Sequence, residues 1–213
     1  VTTSAARDAA NAADLLAVFE ERGLTLEVIS GKREAELTFR GVSLALPLGE
    51  PLMVVDVGGG STEVSFGQGG QAPWVFHSFD IGCRRVTERF LAADPPLPSE
   101  LDAAIAWMGE QLRPWVATVP ADLRGASLFA VAGTATSAIS MQKGLTVYDP
   151  AKVHGAKLSR EELKALTMRL AAMTEEEREQ VVGLDPRRAP VITAGLLILL
   201  EVMDVFAVRE FTA

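Results

Sequence analysis

The chain has 213 residues, 48% of them hydrophobic, with a formal net charge of −8 and a pI near 4.9. That length and apolar content support a packed core and exclude a disordered tail, while the acidic balance argues against a general nucleic-acid or membrane-surface binder, which needs a basic face. A single cysteine, Cys83, and two histidines exclude an intrachain disulfide and a His/Cys zinc cluster, and this cysteine usage fits a reducing cytoplasm.

Residues 4–22, "SAARDAANAADLLAVFEER", carry apolar residues at helical spacing up to Gly23, without the basic-then-apolar pattern of a signal peptide. "LEVIS" (26–30) predicts a strand. "GKREAELTFRGVSLAL" (31–46) predicts a helix from about Lys32, before Pro47, Gly49 and Pro51 break the chain. "LMVVDVG" is a near-continuous apolar run, the pattern of a strand buried on both faces. "STEVSFG" and "WVFHSFDIG" read as the next strands, joined by the turn "GQGGQAP".

"CRRVTERFLA" predicts a helix, and "DPPLP" ends it. That segment is the expected domain boundary, dividing the chain into 1–94 and 95–213. "SELDAAIAWMGEQLRPWVATV" predicts a long helix capped by Ser99, with a kink at Pro114. "SLFAVAG" is another buried strand, and "TATSAISMQKG" a helix on a threonine cap. Residues 145–158 read as a loop. Ser159 with Glu162, and Thr174 with Glu177, each form a capping-box signature ahead of a helix. The final helix contains the apolar run 194–200, too short to cross a bilayer and expected in the core. "VREFTA" closes the chain as a strand. Strands and helices mix throughout, so the fold class is α/β with a mixed sheet.

The chemistry concentrates in "VVDVGGGSTEVSFG". Gly58, Gly59 and Gly60 let consecutive N–H groups converge on an anion, and Ser61 and Thr62 add hydroxyls. A strand follows the loop, so it is a hairpin tip and not a P-loop. Asp56, beside such a loop, repels a phosphate unless a cation sits between them. Magnesium binds through one or two carboxylates plus water and phosphate oxygens, which Asp56 and Glu63 can supply. A plain glycine-rich turn with a capping aspartate explains the glycines alone about as well. Glu34 is either a solvated helix residue or a general base, and Arg7 either a surface arginine or a bidentate phosphate ligand. "AVAGTATSA" puts Gly133 and Thr134 at a helix N-terminus, which serves an anion or a tight packing contact.

Six stretches taken together, "TSAARDAAN", "VISGKREAELTFRGV", "VVDVGGGSTEVSFG", "DIGCRRVTERFL", "AVAGTATSAISMQKGLTVYDPAKVHG" and "RRAPVITAGLLILLEVMD", resemble the exopolyphosphatase and guanosine pentaphosphate phosphatase family, in order and across nearly the whole chain. The resemblance implies two ribonuclease-H-like lobes of the actin-like ATPase fold with a cleft between them. It implies a cytoplasmic, magnesium-dependent hydrolase acting on inorganic polyphosphate or guanosine pentaphosphate. In that family's pattern Glu34 matches the catalytic base, Asp56 and Glu63 the metal carboxylates, Gly58 to Thr62 the second phosphate loop and Arg7 a phosphate contact. Gly133 and Thr134 match a glycine turn of the second lobe. Family members often pair as homodimers. The family's N-terminal phosphate loop has no counterpart before "VTTSAARD", so the resemblance implies a fragment with an incomplete first lobe. Two rival readings share the glycine loops: an ATP-dependent kinase or ATPase of the same superfamily, and a non-enzymatic sensor of guanosine tetra- or pentaphosphate or polyphosphate.

Overall fold

A computed structural model of the chain describes residues 1–44 and 49–213, apart from the Asp8 side chain. Ten α-helices are described: α1 (Ser4–Asp8), α2 (Ala12–Glu20), α3 (Gly31–Ser43), α4 (Cys83–Phe90), α5 (Pro98–Thr118), α6 (Ala132–Gln142), α7 (Pro150–Val153), α8 (Arg160–Ala171), α9 (Glu175–Glu179) and α10 (Ala189–Val205). β1 (Pro51–Val57), β2 (Thr62–Gln68) and β3 (Val75–Phe79) form an antiparallel meander. β4 (Ser127–Val131) runs parallel to β1. β6 (Glu210–Thr212) runs parallel to β4, and β5 (Lys157–Ser159) pairs antiparallel with β6. The six make one mixed sheet in the order β3-β2-β1-β4-β6-β5.

β1 explains why the sheet needs cover on both faces. Successive side chains of a strand point to opposite faces. Met53, Val55 and Val57 enter the main core, which they share with the buried residues of α10, α5, α4, α6 and α8. Leu52 and Val54 face the other way and pack with Phe39 of α3 in a small second core. α10 is buried almost all round, because α4, α5 and α8 flank it and the sheet lies beneath. Its apolar run is therefore a core helix, as its length implies, and no helix among the described residues is long and apolar enough to cross a membrane.

Phe39 fixes where α3 sits. Its ring lies over Gly67 of β2, where an added Cβ would come within 2.6 Å of the ring carbon Cζ. Gly31, at the start of the same helix, lies as close to Ser78 of β3, and a Cβ added there would come within 2.5 Å of the hydroxyl oxygen. Two glycine contacts thus hold the helix down across the meander.

Several local expectations change in the structure. The helix expected over 4–22 is two helices, α1 and α2, separated by residues 9–11. "LEVIS" is not a strand of the sheet. Val28 makes an isolated parallel bridge to Thr2, because the adjoining chain offers only one short extended partner. α3 begins one residue earlier than expected, on a Ser30 cap whose hydroxyl accepts from the Arg33 N–H, and its expected end at 45–46 lies outside the described residues. α5 begins at Pro98 instead of after a Ser99 cap, since proline suits the first helical turn, and it continues past Pro114 to Thr118. α6 starts at Ala132, so Thr134 lies inside its first turn and does not cap it. The segment 145–158 contains α7, capped by Asp149, and part of β5. Both capping boxes form, at Ser159–Glu162 and Thr174–Glu177.

The division expected at 94–98 does not fall between two sheets. β1–β3 before it and β4–β6 after it are one sheet. Asp94 instead accepts from the Glu175 N–H and pairs with the buried Arg178 at 3.2 Å, tying this connection to α9.

Phe39 is fully buried between α3 and the sheet. Phe39→Ala is expected to lower unfolding free energy by about 3–5 kcal/mol, as aromatic truncations in cores do, measured by urea denaturation.

Candidate active site

The strand alternation that sends Leu52 and Val54 toward α3 sends Asp56 there too. Asp56 and Glu63 are direct partners in the β1–β2 ladder, and Ser78 is the partner of Glu63 on β3. Asp56, Glu63 and Ser78 therefore form one cross-strand row on the face that α3 covers. Glu34 and Thr38 stand four residues apart on α3, hence on one side of the helix, and both face that row. The Thr38 hydroxyl donates to Asp56 at 3.3 Å, and the Ser78 hydroxyl donates to Glu63 at 2.6 Å. The close approach of Gly31 to Ser78 brings the start of α3 onto the same row.

Three carboxylates consequently share a small, largely buried space. Burial, foremost, raises the Asp56 carboxyl above its ordinary value, the nearby Glu34 charge adds to this, and the Thr38 hydrogen bond opposes it. Burial likewise pushes Glu63 up to about 7. Ser78 and, more weakly, Ser61 favour its charged form, while Glu34 and Asp56 disfavour it. Glu63 is only 2% exposed. Neither Asp56 nor Glu63 has a basic partner among the described residues, whereas Glu34 does. The Arg7 guanidinium of α1 lies 3.2 Å from the Glu34 carboxylate and donates to the Ile29 carbonyl at 2.7 Å. That second bond fixes the arginine against the turn before α3 and leaves it spanning the gap to the glutamate.

The glycine loop 58–61 leaves β1 at the same end of the sheet. The Gly58 N–H donates to the Ser61 carbonyl at 2.9 Å, closing the tip. The loop's own carbonyls face α4: Cys83 N–H donates to Gly58 O at 2.9 Å, Arg84 N–H to Gly59 O at 3.0 Å, and the Arg85 Nε to Gly60 O at 3.1 Å. Gly82 makes this possible, since a Cβ there would lie 2.3 Å from the Gly59 oxygen. With its carbonyls held by α4, the loop keeps the Gly59 and Gly60 N–H groups without a backbone acceptor among the described residues. Thr62 points elsewhere: its hydroxyl is buried and donates to the Ile81 carbonyl at 2.5 Å.

β4 runs parallel beside β1, so the start of α6 lies next to the glycine loop. Ala132 occupies the left-handed region at φ 63° to turn the chain from β4 into α6. The Thr134 hydroxyl is buried and reaches the Val57 carbonyl at 3.4 Å, linking the two strand ends. Gly133 lies against the Arg188 guanidinium, where a Cβ would come within 2.0 Å. Arg188 is not among the residues that sequence patterning singles out. It follows an exposed Arg187 in a short turn before α10, and nothing in its spacing signals that the fold returns it to Gly133. Thr38 and Ser78 escape notice for the same reason, since an isolated hydroxyl residue carries no pattern. Cys83 is a buried thiol of the main core, as its type implies. His77 lies on the opposite face of β3 among Phe79 and Trp115, away from the carboxylates.

Among the described residues no group of three or more His, Cys, Asp and Glu side chains could hold a metal ion by itself. Two carboxylates side by side, Glu63 buried and Asp56 half-buried, with no basic partner among the described residues, still fit a hard divalent cation, because magnesium takes one or two carboxylates and completes its shell with water and phosphate oxygens.

The chain as a whole is similar to known proteins. Residues 1–213 match the profile of the Ppx/GppA phosphatase family. The chain belongs to the Ppx/GppA phosphatase family. Over 209 residues it is 38% identical to Exopolyphosphatase 2 of Mycobacterium tuberculosis, covering 94% of this chain and 64% of that protein. Over 213 residues it is 33% identical to the bifunctional 3-dehydroquinate synthase/phosphatase of Fusobacterium nucleatum, covering 96% of this chain and 31% of that one. The chain thus spans less than two thirds of these curated relatives. Among solved structures, the Aquifex aeolicus PPX-GPPA enzyme superposes with a TM-score of 0.84 at 33% identity, over 99% of this chain and 69% of that one. An exopolyphosphatase-like protein gives 0.90 at 32% identity, over 99% and 69%, and an exopolyphosphatase from Cytophaga hutchinsonii 0.86 at 28%, over 98% and 68%. The family's actin-like ATPase fold is therefore the fold of this chain.

Two expectations follow for the family member's stability. Because the Glu63 carboxyl in the folded protein titrates near 7 instead of 4.5, its stabilising contribution is fully present below pH 4.5 and is lost as pH rises through about 7. Glu63→Gln is expected to remove much of the decline in urea midpoint between pH 5 and 8, an effect on the order of 3 kcal/mol at most. Ala132→Gly, which removes a left-handed non-glycine residue, is expected to raise stability by up to about 1 kcal/mol in the same assay.

Proposed function

We propose that this protein is a phosphoanhydride hydrolase that releases terminal phosphate from inorganic polyphosphate and converts guanosine pentaphosphate to tetraphosphate. The observation that carries this reading is the placing of three carboxylates, Glu34, Asp56 and Glu63, under a glycine loop whose N–H groups are open. The names of its relatives, two of them exopolyphosphatases, support it.

In this reading the loop N–H groups of Gly59 and Gly60 receive the oxygens of the terminal phosphate. They are fixed by α4 before substrate arrives, so they need no reorganisation as charge builds on the phosphoryl group. Asp56 and Glu63 are the residues that would hold magnesium, and the ion would supply charge neutralisation at the phosphate oxygens. Arg188, over Gly133, adds a cation on the α6 side of the loop. Glu34 takes the proton from the attacking water. Its place on α3, held by Arg7 and facing the Asp56–Glu63 row, supports that role. Thr38 and Ser78 orient the two metal carboxylates.

The test is phosphate release from long-chain polyphosphate and from guanosine pentaphosphate by the natural full-length protein, with magnesium or with chelator. Chelator is expected to abolish release, and Glu34→Gln to lower kcat by about 10²–10⁴-fold with little change in melting temperature. Binding of either compound by the wild type without any release would overturn the hydrolase reading in favour of a sensor.

A further inference from the structure

The second turn of α10 carries a polar group that the fold leaves unanswered. Among the described residues the Thr193 hydroxyl is the one buried side-chain polar atom without a hydrogen-bond partner, and Thr193 is only 3% exposed. A helical threonine commonly satisfies its hydroxyl by donating to the carbonyl four residues back. Thr87, Thr136 and Thr167 do so, to Cys83, Ala132 and Leu163 at 2.8, 3.0 and 2.7 Å. For Thr193 that carbonyl belongs to Ala189, and it accepts instead from Nε of the buried Arg178 at 3.1 Å. Buried hydroxyls are ordinarily paired, so a partner from outside the chain is called for.

Thr193 lines a cavity of about 150 Å³ between α4, α9 and α10. That is below the range of about 300–1,000 Å³ common for drug-sized ligands, which excludes a nucleotide or a polyphosphate. Charge on the walls is balanced. Arg178 and Asp94 pair at 3.2 Å, and four of the guanidinium N–H groups are taken by Ala189 O, Leu170 O, Met173 O and Asp94. One Nη2 N–H of Arg178 is left over as a donor. The Thr87 hydroxyl, having given its proton to Cys83 O, offers its oxygen as an acceptor. Thr193 can do either. Leu91, Pro96 and Pro190 make the rest of the wall apolar. Several waters of about 30 Å³ each would go short of hydrogen bonds against such walls, since each wants two to four polar partners. A molecule with its own carbon skeleton and two or three hydroxyls matches both halves of the lining.

We infer that this cavity is a binding site for a small uncharged polyol, with Thr193 as its principal hydrogen-bond partner and Arg178 and Thr87 as the others. The ligand joins α4, whose first N–H groups hold the glycine loop, to the start of α10, which follows Arg188. None of the three residues acts in the proposed hydrolysis, so the binding stands or falls apart from that activity.

The experiment titrates glycerol into the natural full-length protein and follows the amide resonances of Ala92, Ala93 and Thr193 by NMR. Trehalose, too large for the cavity, serves as the control for general solvent effects. Saturable shifts are expected with glycerol and not with trehalose. Thr193→Val, which keeps the side-chain shape and removes the hydroxyl, is expected to weaken glycerol binding about fivefold or more, as loss of one hydrogen bond does, while Thr193→Ser stays within about twofold of wild type. Absence of a saturable glycerol shift in the wild type would overturn the site, whether or not water fills it. Equal affinity in the wild type and Thr193→Val would overturn it as well.

Discussion

Everything at the candidate site depends on one unfavourable contact: two carboxylates placed opposite each other on adjacent strands, largely out of water, without a basic partner among the described residues. Like charges directly across a ladder destabilise a sheet, and burial amplifies the cost. The rest of the local structure compensates. Thr38 and Ser78 donate to Asp56 and Glu63, and the raised titration of both carboxyls lets the folded chain reduce its charge by binding protons. A cation would relieve the same repulsion, which is why a phosphate-loop neighbour makes chemical sense of an arrangement that stability alone would disfavour.

Holding that pair in place requires a rigid cover, and α3 supplies it. Phe39 anchors one end of the helix on Gly67 and Gly31 seats the other on Ser78, so Glu34 and Thr38 are delivered between two fixed points. On the far side of the loop, α4 uses its first N–H groups to hold the loop carbonyls. That contact commits the helix terminus to positioning and not to the ligand. The glycine loop is thus gripped through its acceptors, leaving its donors available, and Gly82 is the residue whose missing side chain permits the grip.

Much of the architecture was legible from pattern. β1 to β4, the main helices and both capping boxes follow from apolar periodicity and cap chemistry, because those signals are local. The misses share a cause. "LEVIS" has a strand's composition but finds no neighbouring strand, and whether a partner exists is not a local property. Residues 4–22 have helical spacing throughout, yet the chain turns at 9–11 so that Ser4 can rest on Gly60 and Arg7 can reach Ile29 and Glu34. The proline-rich segment at 94–98 looks like a linker, but Asp94 is committed to Arg178 and the sheet runs past it.

By itself the sequence determined the acidic, single-cysteine, mixed α/β character of this protein, and the residues of its glycine loop with a carboxylate on either side. Those are properties of composition and of neighbours along the chain. The tertiary structure decided which groups meet: the register that sets Asp56 against Glu63 and Ser78, the helix that lowers Glu34 and Thr38 onto them, and the return of Arg188 to Gly133. A ladder register and a helix seat are fixed by packing between segments far apart in the chain. No spacing rule within one segment carries that information.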